Sequence, residues 1–439
     1  MRPLATLLSF ILLSTLFSPV QAENIAITGG TLHTMGAAGI VDNGIVLIED
    51  GKISAVGQNL VIPDGFDIID AHGKWVTPGL MNSATRLGLQ EVMMVGTTSD
   101  HNAQKAPFSA AFDVSYGLNP QSTAIPITRM EGVTRALVLP STFNFGPAGM
   151  NNSLFGGLGA LVHLGLGTDM LVRPKAVMYA ELGALGASKA GGARGAAWVS
   201  LLNTLSEVDN YQANQAAYAT GWRQDAYTKR LDIEALIPVL DGQIPLLVRA
   251  ENAADIRRVT KLQGLYPSLR IILLGGKEAW MAADDLARTG IPVVLNPLHN
   301  LPDFFESLAA TSYNAARLSE AGILFAIAGG SSGMVEVENA RLITQTAGNA
   351  VAYGLPWQAA LEAITINPAK IFGLDDHYGT LESGMTADVV VWDGDPLEVM
   401  TNADAVIING AKIPLTSRQT KLRDRYQDLS DTTTPFMYR

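Results

Sequence analysis

The 439-residue sequence contains no cysteine. That excludes disulfides, thiolate zinc sites, a cysteine nucleophile and a lipid-modified cysteine anchor. Positive charge is also short: 30 Lys and Arg against 41 Asp and Glu leave a formal net charge of −11. Such a balance suits neither nucleic acid nor an anionic membrane surface, so neither is expected as a partner. Beyond the first 22 residues no run is long and apolar enough to span a membrane. No GxGxxG sits between a strand and a helix, so no nucleotide site is read.

What is present begins with an export signal. Arg2 precedes the apolar run LATLLSFILLSTLFSPV, which ends at Val20-Gln21-Ala22. The short run and the small residues at the cleavage positions predict a signal peptide over 1–22, cut after Ala22. A secreted or periplasmic protein without a membrane anchor is expected. The full sequence is 48% apolar and 16% charged, a composition that can bury a sizeable core.

Residues 23–78 alternate apolar and polar positions in short stretches, punctuated by Gly29-Gly30, Asp50-Gly51 and Pro63-Asp64-Gly65. Two further stretches of this kind, 387–396 and 404–413, lie near the other end. They predict one small β-sandwich domain assembled from 23–78 and 376–415. Between them the pattern changes to apolar runs followed by helix-like segments. IPLLVRAE precedes 253–264, LRIILLGG precedes 277–289, IPVVLNP precedes 303–320 and ILFAIAGG precedes 335–353. Four strand-then-helix units in succession imply parallel α/β architecture. Further apolar runs at 136–140 and 176–182 favour a closed (β/α)8 TIM barrel over 79–375 rather than an open sheet. Residues 141–168 read as a long Gly- and Asn-rich loop, with or without a hairpin, and 416–439 as a polar tail.

Several passages resemble the amidohydrolase superfamily, in particular its imidazolonepropionase-like exported members. They include GIVLIEDGKISAVG, IIDAHGKWVTPGL, GVTRALV, GGKEAWMAADDLARTGIPVVL and ITINPAKIFGLDDHYGTLESGMTADVVVWDGDPL. The resemblance covers nearly all of 23–439. It implies the barrel with its small β domain, a divalent metal such as zinc at the carboxyl ends of the strands, and hydrolysis of non-peptide C–N bonds. In that chemistry the metal acidifies a bound water and an aspartate handles its proton.

Matched motif by motif, the expected ligands are replaced. The His-x-His pair of the first barrel strand falls on Ala84 and Arg86, the fifth-strand His on Arg249, the sixth-strand His near Gly275 or Gly276, and the eighth-strand Asp on or beside Gly330. Alanine and glycine offer no donor, and a guanidinium stays protonated without a free lone pair. No metal is therefore expected at the usual site, and the catalytic residues are unassigned. The pocket expected at the barrel mouth comprises Ala84, Arg86, Arg249, Glu251 and Gly330. Arg86 and Arg249 together suit a small anionic ligand gripped bidentately, unless each is matched internally, Arg249 by Glu251 or Glu91. Asp100, His101 and His299 are the candidates for a relocated metal site, with His163 beside them. His33, His72 and His377 read as structural or solvated. Asp388, Asp393 and Asp395 read as turn formers, and Ser331-Ser332 is too common a pattern to name a nucleophile. Three functions remain open. They are a divergent amidohydrolase, a catalytically inactive barrel that binds a small anion or a partner chain, and a subunit that partners an active relative in a homo- or hetero-oligomer.

Overall fold

The computed structural model describes residues 24–92, 95–103, 105–142, 153–220, 227–329, 337 and 339–427. The signal peptide read at 1–22 lies outside the described residues, as do 143–152 of the Gly- and Asn-rich segment, Gly330 and Ser331-Ser332.

Chain order gives five strands first: β1 (Ile25–His33), β2 (Ile40–Glu49), β3 (Lys52–Gly57), β4 (Asp67–Asp70) and β5 (Trp75–Pro78). Asp50 and Gly51 turn β2 into β3 with φ of 49° and 78°, the left-handed pair that a two-residue hairpin requires. Eight barrel strands follow: β6 (Leu80–Thr85), β7 (Val133–Val138), β8 (Phe155–His163), β9 (Leu171–Glu181), β10 (Leu246–Ala250), β11 (Ile271–Gly275), β12 (Val293–Leu295) and β13 (Phe325–Ile327). The last three, β14 (Val389–Trp392), β15 (Ala403–Ile408) and β16 (Ala411–Lys412), return to the first sheet. Its order is β16-β15-β14-β5-β1-β2-β3, with β4 on β1, so both ends of the chain build it.

The barrel sheet runs β13-β12-β11-β10-β9-β8-β7-β6. Seven strands are parallel and β8 alone runs antiparallel between β7 and β9. One place in the expected eightfold repeat is thus filled by a hairpin strand. Its sequence, FGGLGALVH, reads as loop because glycines interrupt the alternation. They are required by close backbone approach: a Cβ on Gly157, where φ is 120°, would lie 2.4 Å from the Phe112 carbonyl oxygen.

Met81, Leu137, Leu161, Val177, Leu247, Ile272, Val294 and Ala326, one from each strand, fill the barrel interior. The helix Ile366–Phe372 packs against them. Arg173, near the start of β9, donates to the Phe372 and Gly373 carbonyls at 2.7 and 2.8 Å, which places this helix at the end where the parallel strands begin. The opposite end forms the mouth. Between β6 and β13 the seam is bridged by chain. Met81 N–H donates to the Ile364 carbonyl, Ile327 N–H to the Ala363 carbonyl, and the buried Asn82 carboxamide accepts from Gly329 N–H.

Helices lie outside the sheet, packed on its second apolar face. The predicted 253–264 helix is Ala253–Leu265, whereas 303–320 forms only a 3-10 turn at Phe305–Ser307 and the helix Asn314–Glu320. Asp303 and Ser307 hydrogen-bond to one another across that segment, competing with helical pairing. The twenty-residue helix Arg194–Ala213 packs on Arg230–Leu240. From the latter, buried Asp232 accepts the Ser109 and Ala111 N–H groups at 2.8 and 2.9 Å, pinning the segment after β6. Asp232→Ala is expected to lower the unfolding free energy by about 1–3 kcal/mol, the cost of stranding buried donors. Amide exchange at 109–111 should quicken with it.

The β domain joins the barrel through Arg135 on β7. Its guanidinium bonds both Asp388 carboxylate oxygens, at 2.6 and 3.2 Å, bonds the Asn409 carboxamide, and lies 3.5 Å from the Tyr378 ring centroid. Asp388 is therefore a buried ion partner rather than a turn former. Asp393 accepts the Asn402 N–H, and Asp395 caps Leu397 and holds the Trp357 indole. Nearby His33 is buried, its ring stacked 4.5 Å from that of Trp75, and burial lowers its pKa. The C-terminal segment forms the helix Arg418–Tyr426, opened by a Ser417–Thr420 capping box, with no residue buried.

Candidate binding site at the barrel mouth

Residues two apart on a strand share a face. The face of β10 that puts Leu247 inside the barrel therefore puts Arg249 there, and the face of β9 that buries Val177 and Tyr179 also carries Glu181. Arg249 and Glu181 are register partners on adjacent strands. Glu251, two residues beyond Arg249, completes a cluster at the carboxyl ends of the strands.

Arg249 Nε lies 3.1 Å from Glu251 and 3.8 Å from Glu181. Burial opposes its charge, but the two carboxylates outweigh burial and hold its pKa above the ordinary value. Burial raises the pKa of Glu181, against the opposing pull of Arg249, Tyr179 and Thr142. The Tyr179 hydroxyl donates to Glu181 at 2.5 Å and the Thr142 hydroxyl at 3.1 Å. Burial and then Glu181 push the Tyr179 phenol well up. Glu251 also accepts the Lys277 N–H. Its carboxylate occupies the space beside Gly275, where a Cβ would lie 2.5 Å from one oxygen.

Arg86 goes elsewhere. Its guanidinium reaches Gln90 at 3.4 Å and Ser141 at 3.1 Å. Ser141 in turn donates its N–H to the His101 carbonyl. Burial, then the nearby Arg86 charge, lower the pKa of the His101 imidazole to about 4. Its Nδ1 is buried without a hydrogen-bond partner among the described residues.

A cleft of about 410 Å³, its solvent-open mouth included, lies over the cluster. Ala84, Leu274, Val294, Leu295 and Ala328 give it apolar walls, and Arg249, Glu251 and Asn296 give it polar edges. Of the pocket expected from sequence, the structure brings Ala84, Arg249 and Glu251 together. Gly330 lies outside the described residues, next to Gly329 of the lining. Arg86 is not among the lining residues. Among the contacts described, Arg86 reaches Gln90 and Ser141 while Arg249 reaches Glu181 and Glu251. Of the two alternatives for Arg249, Glu251 is the partner, while Glu91 instead binds the Thr123 N–H and hydroxyl.

The candidate relocated ligands have different surroundings. Asp100 is exposed, His101 sits by Arg86, and His299 closes the 3-10 turn Pro297–His299 after β12. His163 ends β8, which runs antiparallel, and so lies by Arg135 and Asp388 at the far end of the barrel. Among the described residues no three His, Cys, Asp or Glu side chains group as a metal site. Sequence reading missed Glu181, Tyr179, Ser141 and Thr142. A glutamate closing the apolar run AVMYAE was the available signal for the first.

Residues 249–416 match the model of the amidohydrolase family. An amidohydrolase of Hapsidospora irregularis, named tasK, is 25% identical over 84% of this chain, which spans 39% of that protein's length. An imidazolonepropionase of Fusobacterium nucleatum is 23% identical, over 84% of this chain and 91% of its own. Among solved structures, an amidohydrolase from Thermotoga maritima superposes with a TM-score of 0.77 at 26% identity, covering 89% of this chain and 99% of its own.

Proposed function

Starting from a chain that carries an amidohydrolase-family domain, we propose that it is an exported barrel that binds a small molecule at its mouth without metal-assisted hydrolysis. The observation that carries this is the Arg249 cluster. A guanidinium bound to Glu181 and Glu251 stands where a metal-binding imidazole is expected. The residues at the other matched positions do not fit a divalent ion either. Ala84 has no donor, Arg86 is permanently cationic, and Gly275 carries no side chain to coordinate with. Because carboxylates already match Arg249, the ligand need not be an anion. Leu274, Val294 and Leu295 favour a small molecule with an apolar body, and Asn296 and the rim of the ion pair orient its polar group. Export rests on Arg2, the apolar run and Val20-Gln21-Ala22. It is checked by N-terminal sequencing of the protein from the extracytoplasmic fraction, with Glu23 expected first.

A second reading, metal-assisted hydrolysis of a C–N bond, is favoured by the named activities of relatives that match over four-fifths of the chain. One experiment separates the two. The purified protein is dialysed against zinc or manganese, its metal content is determined, and hydrolysis of a panel of cyclic amides and imides is followed. The proposed function expects less than a tenth of an equivalent of metal and no metal-stimulated turnover. One retained equivalent together with metal-dependent hydrolysis would establish the second reading instead.

A further inference from the structure

Burying two carboxylates side by side is costly unless a cation lies between them. Glu181 is 2% exposed and Glu251 9% exposed, and each raises a charge problem for the other. The only cation bonded to both among the described residues is Arg249. Its strand register and period-two orientation put it there by the fold itself rather than by a flexible reach from the surface. Gly275 lets the Glu251 carboxylate lean in, and the Tyr179 and Thr142 hydroxyls complete an oxygen lining around Glu181.

We propose that the Arg249 guanidinium is the resident cation of the barrel mouth, filling the space between Glu181 and Glu251 that a divalent ion would otherwise take. Removing it creates a metal site. The inference rests on the reading that the mouth does not assemble a metal-hydrolase centre. With the guanidinium gone, two carboxylates and neighbouring hydroxyls remain. This is a hard-oxygen donor set suited to manganese or magnesium. A guanidinium differs from a metal in one respect that matters here: it carries charge but acidifies no water.

The test is calorimetric titration of chelator-stripped, full-length protein with manganese. Four proteins are compared: wild type, Arg249→Ala, Arg249→His, and a control combining Arg249→Ala with Glu181→Gln and Glu251→Gln. Arg249→Ala is expected to bind one equivalent at least tenfold more tightly than wild type. Arg249→His, with an added nitrogen donor, is expected to bind more tightly still, and the control to lose the gain. A folded Arg249→Ala protein that binds manganese no better than wild type or the control overturns the inference. Should Arg249→Ala aggregate, it is refolded with and without millimolar manganese or methylguanidinium. A several-fold rise in soluble yield supports the resident-cation role, and an unchanged yield overturns it. Wild-type protein that holds an equivalent of metal of its own contradicts the proposed function instead. Uptake of a second equivalent by Arg249→Ala would still sustain the role of Arg249.

Discussion

Replacing Arg135 with methionine is expected to lower the unfolding free energy by about 3–5 kcal/mol, the usual cost of breaking a buried ion pair from one side. Asp388 is 5% exposed, and its carboxylate would keep only the Asn409 N–H among the partners described. The Asn409 carboxamide and the Tyr378 ring lose their cation as well. Urea unfolding followed by tryptophan fluorescence reads the loss, since Trp392 is buried on β14 four residues from Asp388. Substituting both partners, Arg135→Met with Asp388→Leu, should recover most of it, because no charge is then left buried and unmatched. If the single substitution costs less than about 1 kcal/mol, as an exposed pair would, the junction between barrel and β domain is held by contacts other than this ion pair.

Acid should weaken the protein through His101. The imidazole is neutral in the folded chain until about pH 4, held there by burial and by Arg86, against 6.5 for the free group. A folded pKa below the unfolded one means that the unfolded chain takes up the proton first. The contribution of neutral His101 is thus complete above pH 6.5 and is lost as pH falls from 6.5 towards 4. Across that window the loss is on the order of 3 kcal/mol. His101→Phe removes the proton uptake, so the difference in stability between variant and wild type should change steadily from pH 6.5 to 4 and be flat above pH 7. His33 and His163 shift in the same direction and steepen the acid limb of both proteins alike. Parallel pH profiles for variant and wild type would show that His101 titrates normally.

The barrel was legible in the sequence because its later half is built from strands buried on both faces. Such strands appear as uninterrupted apolar runs, as at 244–251, 271–276, 291–297 and 323–330, and each is followed by a helical segment. The β domain was legible from alternation and from Asp50-Gly51. Strand β8 was not, because the glycines demanded by its neighbours erase the pattern that would announce a strand. The site divides in the same way. Motif spacing drew attention to Ala84 and Arg249, and charge to Glu251, three residues that line the mouth cleft. It did not locate Glu181, about seventy residues upstream, because an inter-strand register is a property of three dimensions. Nor did it reveal that Arg86 and Arg249 have separate partners. Both were read at the mouth, and only side-chain direction tells them apart.

The pairing of β5 with β14 also sets an order of events during synthesis. Trp75–Pro78 emerges from the ribosome some three hundred residues before Val389–Trp392, and until then one side of β5 is an open edge able to recruit other chains. The N-terminal strands therefore cannot reach their final state while the barrel is being made. A chain that stops short of residue 389 keeps that edge permanently. Premature termination near the end of the gene should then yield aggregates rather than a shortened soluble protein, even though every barrel strand is present.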